Sequence, residues 1–307
     1  MVAPSTRNKV LRAVAELNYQ PNQLARSLRN QHTTTIGLIL ADILNEFHAQ
    51  VAQGVQDAAF THGLTVMLSS TNEDARREAA FLGELQRHRF RGLIIVPTEH
   101  TARHLQNLLT TPIVEVDRSS GVRGAHVVLA ENREGGLSAV RHLVQLGHKR
   151  VATISGKPGV TTGAERLSGY HDGMAEAGLR VEPGWVVSVS QHDEAHGYDA
   201  AMRLLRLPGK RRPTAVFAFN NELTAGLLRA VKAVGMRVPD DISIVGFDDS
   251  RWARLMSPSL TVVTQPAYEM GYLAGERLVS LLDRPNVPGS VTRLPTSLIV
   301  RESTAAP

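Results

Sequence analysis

From Ile36 onward, short and almost unbroken apolar runs alternate with longer amphipathic stretches, and this alternation leaves few architectures open to the chain. IGLILA (36–41), LTVMLSS (64–70), GLIIVP (92–97) and PIVEVD (112–117) are separated by segments of helical period near Glu46–His62, Asp74–His88 and Thr101–Leu109. After HVVLA (126–130) and a helix at Gly135–Leu146 the pattern begins again. RVATIS (150–155), WVVSVS (185–190), TAVFAF (214–219) and ISIVGFDD (242–249) are spaced by helices at Thr162–Ala177, Ala195–Leu205 and Leu223–Val234. TVVTQP (261–266), a helix at Ala267–Leu282 and an extended TSLIVRES (296–303) follow. Strands without polar alternation must be covered on both faces, and strands linked by helices run parallel. The spacing therefore predicts an α/β fold of two doubly wound parallel-sheet lobes, preceded by a short N-terminal helical arm. In such sheets ligands bind beyond the carboxyl ends of the strands.

The arm carries the charge. Up to Ala41 the sequence holds Arg7, Lys9, Arg12, Arg26 and Arg29 against Glu16 alone, a net +4 out of +5 for all 307 residues. A concentrated basic arm beside a near-neutral body is the footprint of phosphate contacts. A membrane surface could use the same charge, but the arm lacks the apolar face of an interfacial helix. Residues 5–18 have helical period, with Val10, Val14 and Leu17 on one face and Ser5 or Thr6 as N-cap. Pro21 suits a helix start, and NQLARSLRN (22–30) can form two turns with Leu24 and Leu28 on one face. So short a helix is marginal alone and needs a partner copy or a nucleic acid to order it. The absence of cysteine excludes disulfides, thiolate metal sites and a cysteine nucleophile. The start, MVAPSTRNK, has no apolar signal region, no run is long enough to span a bilayer, and cytoplasm is the expected compartment.

Polar residues at strand ends are the candidates for a site. Asp42, Asp117 and Asp248 follow the IGLILA, PIVEV and ISIVGF strands, Asn220 follows TAVFAF, and Arg166 lies in the helix after RVATIS. Each one alone reads as a helix cap or turn residue. Their recurrence at equivalent places on two lobes points instead to a small polar or polyhydroxylated ligand held in a cleft. His100/His104 and His192/His196 are spaced for a shared metal but have no third ligand nearby, so they read as surface histidines. No GxSxG, GxxxxGK[ST] or GxGxxG motif occurs, and no cofactor is implied. Trp185 reads as core and Trp252 as a loop residue able to reach the cleft rim.

ELNYQPNQLARSLRNQHTTTIGLIL resembles the junction between headpiece and core in the LacI/GalR family of bacterial transcriptional regulators. The likeness continues through HLVQLGHKRVATISG, AERLSGYHDGM, FAFNNELTAGLLRAV, VPDDISIVGFDDS and SLTVVTQPAYEMG, from Ser5 to about Ser303. The resemblance implies a periplasmic-binding-protein-like core of two lobes joined by three crossovers, closing on a small effector such as a sugar or nucleobase. It implies a headpiece remnant and hinge over 1–33 and a core over 34–303, with one lobe at about 34–130 and 267–294 and the other at about 131–266 and 295–303. Asn22, Arg26, Leu28 and Arg29 are then the DNA-contacting hinge residues, Leu28 as a minor-groove wedge. Asp42, Asn45, Phe47, Asp117, Arg166, Asn220, Asp248 and Gln265 are the implied effector residues, Arg166 and Asp248 being expected at the cleft edge outside the core. Asn221 and Glu131 stand where the family more often has Asp. The helix-turn-helix that precedes residues 5–18 in the family has no counterpart in this sequence, so specific operator binding is expected to be weak.

The implied partners are operator DNA, a small effector and a second copy of the chain, as a homodimer or a tetramer built from it, with Val51, Val55 and Ala59 on the two-fold interface. A transporter's solute-binding protein would use the same lobes but without the basic hinge. An enzyme would need a nucleophile, cofactor or metal site that the sequence does not mark.

Overall fold

The structure, a computed structural model, describes residues 3–16, 33–107, 111–157, 159–285 and 287–307. The proposed hinge, with Asn22, Arg26, Leu28 and Arg29, lies outside the described residues. Helix α1 (Pro4–Glu16) starts on a proline in its first turn, where the missing N–H costs nothing, so Ser5 and Thr6 fall inside the helix rather than capping it. Val10 on this helix is exposed, as expected of a short helix with no partner to bury its apolar face.

The first lobe is built on strands β1 (Thr35–Leu40), β2 (Thr65–Ser70), β3 (Leu93–Ile95), β4 (Ile113–Val116), β5 (His126–Ala130) and, from far along the chain, β11 (Val291–Leu294). Their order is β11-β5-β4-β3-β1-β2, with every pair parallel. The second lobe holds β6 (Val151–Ser155), β7 (Val186–Ser188), β8 (Ala215–Ala218), β9 (Ser243–Phe247), β10 (Thr261–Thr264) and β12 (Ser297–Ile299). The order, β12-β10-β9-β8-β6-β7, repeats the first lobe strand for strand. The repeat differs at its last member, because β12 runs antiparallel to β10. The central strands are buried along their whole length, as unbroken apolar runs require.

Helices cover both sheets: α2 (Glu46–Thr61), α3 (Ala75–Arg87) and the short α4 (Thr101–His104) come from the first run, and α5 (Asn132–Gln145), α6 (Thr161–Glu176), α7 (Glu194–Leu205), α8 (Asn221–Ala233), α9 (Arg251–Leu255) and α10 (Ala267–Asp283) from the rest. The helix expected over Thr101–Leu109 is one α turn followed by a 3₁₀ turn at Leu105–Asn107. Helix α10 returns to the first lobe and packs against α2, so Val51, Val55 and Ala59 are fully buried in that lobe's own core. They cannot form the two-fold interface expected of them. Phe60, on the same helix, is the exposed apolar residue there.

Three helix pairs, α2 with α10, α5 with α6 and α7 with α8, approach so closely that only glycine fits. A Cβ on Gly271 of α10 would sit 2.0 Å from the Val51 carbonyl of α2, and one on Gly136 of α5 would sit 2.5 Å from the Arg166 carbonyl of α6. The chain passes between lobes three times: from β5 to α5, from β10 to α10, and from β11 to β12.

Candidate functional site

The carboxyl ends of β4 and β9 occupy the same position in the two sheets, and each is followed by an aspartate in the left-handed region, Asp117 at φ 69° and Asp248 at φ 75°. Aspartate tolerates this region better than most side chains, and such strain clusters at binding sites. In each case the Asp N–H donates to the neighbouring strand, at Val128 and Val263 respectively (2.9 and 2.8 Å), which fixes the turn. Both carboxyls thereby enter one cavity between the lobes.

That cavity opens to solvent and is lined by Asn45, Phe47, His48, Asp117, Arg118, Gly156, Thr162, Gly163, Arg166, His192, Phe219, Asn220, Asp248 and Gln265. Seven of the eight candidates named from the sequence are therefore together. Asp42 is the exception: its Oδ1 accepts from the Leu44 N–H (2.9 Å), closing a turn at the end of β1, and it does not line the cavity. Asn45 takes the place expected for it, its Oδ1 accepting from Phe47 N (3.0 Å) to cap α2 and so setting Phe47 and His48 in the first turn against the cleft. Asn220 is both cap and wall: its Oδ1 accepts from Leu223 N (2.8 Å) at the start of α8.

Arg166 is not a peripheral side chain. It is buried, its Nε donates to Asn132 Oδ1 (2.8 Å), its Nη1 donates to the Phe219 carbonyl, and its guanidinium lies 3.5 Å over the Phe247 ring. The expectation that it stands outside the core is corrected by these contacts, which tie three elements of the second lobe together. The rest of the fork has no acceptor among the described residues. Arg166 forms no ion pair with Asp248, whose Oδ1 instead accepts from Gln265 Nε2 (2.7 Å), leaving Gln265 Oε1 unpartnered.

Arg118, His48 and His192 are site residues that sequence reading missed. Arg118 Nη1 lies 2.7 Å from Glu73 Oε1, and its Nε lies 3.3 Å from Asp117 Oδ2. His192, read as a surface residue, is largely buried; its Nε2 accepts from Lys157 N (3.2 Å) and its Nδ1 lies 3.9 Å from Glu73. His104 is not free at the surface either, since its Nδ1 lies 2.6 Å from the buried Glu78. Among the described residues no group of three His, Asp or Glu is arranged for a metal ion. Trp185 is core, its Nε1 donating to the Arg211 carbonyl (2.8 Å), while Trp252 packs on the second lobe's core and does not line the cavity. The signal for Arg118 was present, because it follows Asp117 at a strand end. Nothing in the loop after β7 marked His192.

Burial governs the electrostatics. It raises the carboxyls of Asp117 and Asp248 above the usual range, with Arg118 opposing the shift at the first and Arg166 at the second. Burial likewise lowers Arg166, and Asp248 and Asp117 oppose that. Burial raises Glu73 as well, but the Arg118 guanidinium outweighs it and holds the carboxylate below its ordinary value. Burial, assisted by the charge of Arg118, lowers both His48 and His192 to about 4, so both rings are neutral at neutral pH.

The lobes meet around this cavity. Asn45 and Asn221 exchange amide hydrogen bonds of 3.0 and 3.3 Å, Ser119 N donates to Thr161 Oγ1 (3.1 Å), and Lys157 Nζ lies 2.9 Å from Glu99. Asn221 thus makes a neutral inter-lobe bond.

A family model described as a periplasmic binding protein-like domain matches residues 140–304. Catabolite control protein A of Priestia megaterium is 32% identical over 308 residues, covering 99% of this chain and 91% of that protein. The ribose operon repressor of Haemophilus influenzae is 32% identical over 303 residues, covering 98% and 90%. A crystal structure of a LacI family transcriptional regulator from Enterococcus faecium with bound ribose matches with a TM-score of 0.77 at 26% identity, covering 89% of this chain and 99% of that one. With its two-lobed fold and inter-lobe cavity, the chain belongs to the LacI family of ligand-responsive transcriptional regulators.

Proposed function

We propose that the inter-lobe cavity holds a neutral polyhydroxylated effector, a pentose or hexose, and that its binding stabilises the closed lobes and so controls a repressor's hold on operator DNA. The charge balance of the wall carries this reading. Two guanidinium groups, Arg118 and Arg166, stand against three carboxyls, Glu73, Asp117 and Asp248, so the wall carries no net positive charge to favour an anionic ligand. The carboxyls and amides offer acceptors and donors to hydroxyls, and Phe47 and Phe219 offer faces to a sugar's C–H edges. The ribose-bound relative from Enterococcus faecium supports the same class. A ligand shifts the lobes only by its differential affinity for the closed state, and groups drawn from both lobes provide that difference.

The site binds rather than catalyses, in keeping with relatives that are named as regulators. Asn22, Arg26, Leu28 and Arg29 contact DNA, Asp42 shapes the β1 turn rather than touching the effector, and the protein works as a cytoplasmic homodimer. No helix among the described residues is long and apolar enough to cross a membrane.

Isothermal calorimetry against neutral sugars, sugar phosphates and nucleobases tests the reading. One neutral sugar binding in the micromolar range is the expected result, and preference for a phosphorylated ligand refutes the charge argument. Sedimentation showing only monomer at micromolar concentration refutes the dimer.

A further inference from the structure

On the cavity wall Gln265 Oε1 and Arg118 Nε each lack a hydrogen-bond partner while the rest of their side chain is engaged; His48 differs in that neither of its polar atoms has one. Its neighbours are committed: Asn45 to Asn221, Arg118 to Glu73, His192 to the Lys157 N–H, Arg166 to Asn132 and the Phe219 carbonyl. Both ring nitrogens of His48 are buried and have no hydrogen-bond partner among the described residues. The backbone of Asp42 approaches the ring, but no hydrogen bond of ordinary geometry forms. The ring is held in place by the first turn of α2 and by an edge-to-face contact with Phe47, the centroids being 5.3 Å apart. A buried polar group without a partner is costly, and where it lines a binding cavity a ligand can repay that cost.

Given the reading of the cleft as a polyol site, on which the assignment rests, we propose that His48 is a specificity-determining residue that hydrogen-bonds a hydroxyl of the bound sugar. A neutral imidazole presents one N–H donor and one bare acceptor nitrogen. A hydroxyl serves either nitrogen, because it both donates and accepts. A carboxylate or phosphate offers acceptors only, and an ammonium group donors only. Helix α2 starts at the Asn45 cap, which is bonded across the cleft to Asn221, so the ring is set at the point where the lobes meet. His48 therefore discriminates among sugars by the position of one hydroxyl, while Arg166 and Asp248 hold the ligand whatever its stereochemistry.

The test is calorimetry of the full 307-residue chain with ribose, xylose, arabinose, galactose and glucose, and then with the monodeoxy derivatives of the best binder. His48→Phe keeps a planar ring and removes both nitrogens; it is expected to weaken the best sugar by at least about tenfold. One deoxy derivative is expected to bind wild type about tenfold more weakly than its parent and to bind the variant no more weakly than the parent does, which identifies the hydroxyl. Should wild type bind a sugar while His48→Phe keeps both its affinity and its ranking of the deoxy series, the assignment is wrong and the sugar site stands. Should wild type bind none of these sugars, both fall. If His48→Phe does not fold, nitrogen-15 spectra of the histidines in wild type decide the question. A shift of the His48 ring nitrogens on adding the sugar supports the assignment, and unmoved resonances overturn it.

Discussion

Two imidazoles buried in a neutral state make stability depend on pH in a defined window. His48 and His192 both titrate near 4 in the folded chain, against an ordinary 6.5, chiefly because burial penalises the charged ring. Their folded pKa values are depressed, so the stabilisation they represent is present above about pH 6.5 and is lost as pH falls towards about 4, while only the unfolded chain takes up the protons. At about pH 5 the loss is on the order of 2 kcal/mol for each ring, and it approaches 3 kcal/mol below about pH 4. The measurement is urea denaturation of wild type, His48→Phe and the double variant His48→Phe/His192→Gln between about pH 7.5 and pH 5. His126, His142 and His148 are also lowered by burial and contribute a background common to all three proteins. Relative to wild type, the double variant should therefore lose about 4 kcal/mol less on acidification, and the single variant about half of that. Parallel curves for the three proteins would show that the rings titrate normally and that the cavity is wetter than its burial implies.

Two further outcomes follow from the packing. Arg166→Lys keeps the charge but loses the planar fork, so the bonds to Asn132 and to the Phe219 carbonyl cannot both be kept; it should lower ligand-free stability by about 1.5–3 kcal/mol as well as weaken the effector, and an unchanged melting temperature would refute the structural half of that role. Gly136→Ala places a methyl against the Arg166 backbone without touching the cavity; it should cost about 1–3 kcal/mol and weaken effector binding indirectly, and calorimetry showing full affinity would sever the link between that helix contact and the site.

The sheets were legible because their central strands are buried on both faces and so read as apolar runs: Leu93–Ile95 and Ala215–Ala218 need no tertiary information to be recognised. The edge strand β11 was not legible. VTRL alternates exposed and covered residues, Val291 is largely solvent-facing, and nothing local distinguishes it from loop. The antiparallel course of β12 is likewise a matter of chain path, not of composition. At the site, Asp117 and Asp248 were readable as strand-end carboxyls in matching places, yet Asp42, the same residue type in the same position, closes a turn instead. That difference depends on whether a side chain's own backbone offers it an N–H, as Leu44 does for Asp42. His48 went unnamed and His192 was read as a surface residue because what makes them matter, burial beside Arg118, is assembled from segments far apart in sequence.

The late position of β11 and β12 bears on how the chain is made. Each lies at one edge of its sheet, and between them they span only residues 291–299. Just beyond, the Ser303 hydroxyl donates to the Ile244 carbonyl (2.7 Å) and accepts from Thr261 N (2.8 Å), and the Ala305 carbonyl sits 2.9 Å from His148. A ribosome emitting this protein therefore finishes the first lobe only once residues 291–294 are out and the second only once residues near 305 are. Until then β5 and β10 both present unpaired edges, the templates most prone to recruit a foreign strand. Translation that stops before residue 291 leaves two incomplete sheets rather than one sound lobe and one broken one, and synthesis of this protein favours chaperone cover held until both edge strands are made.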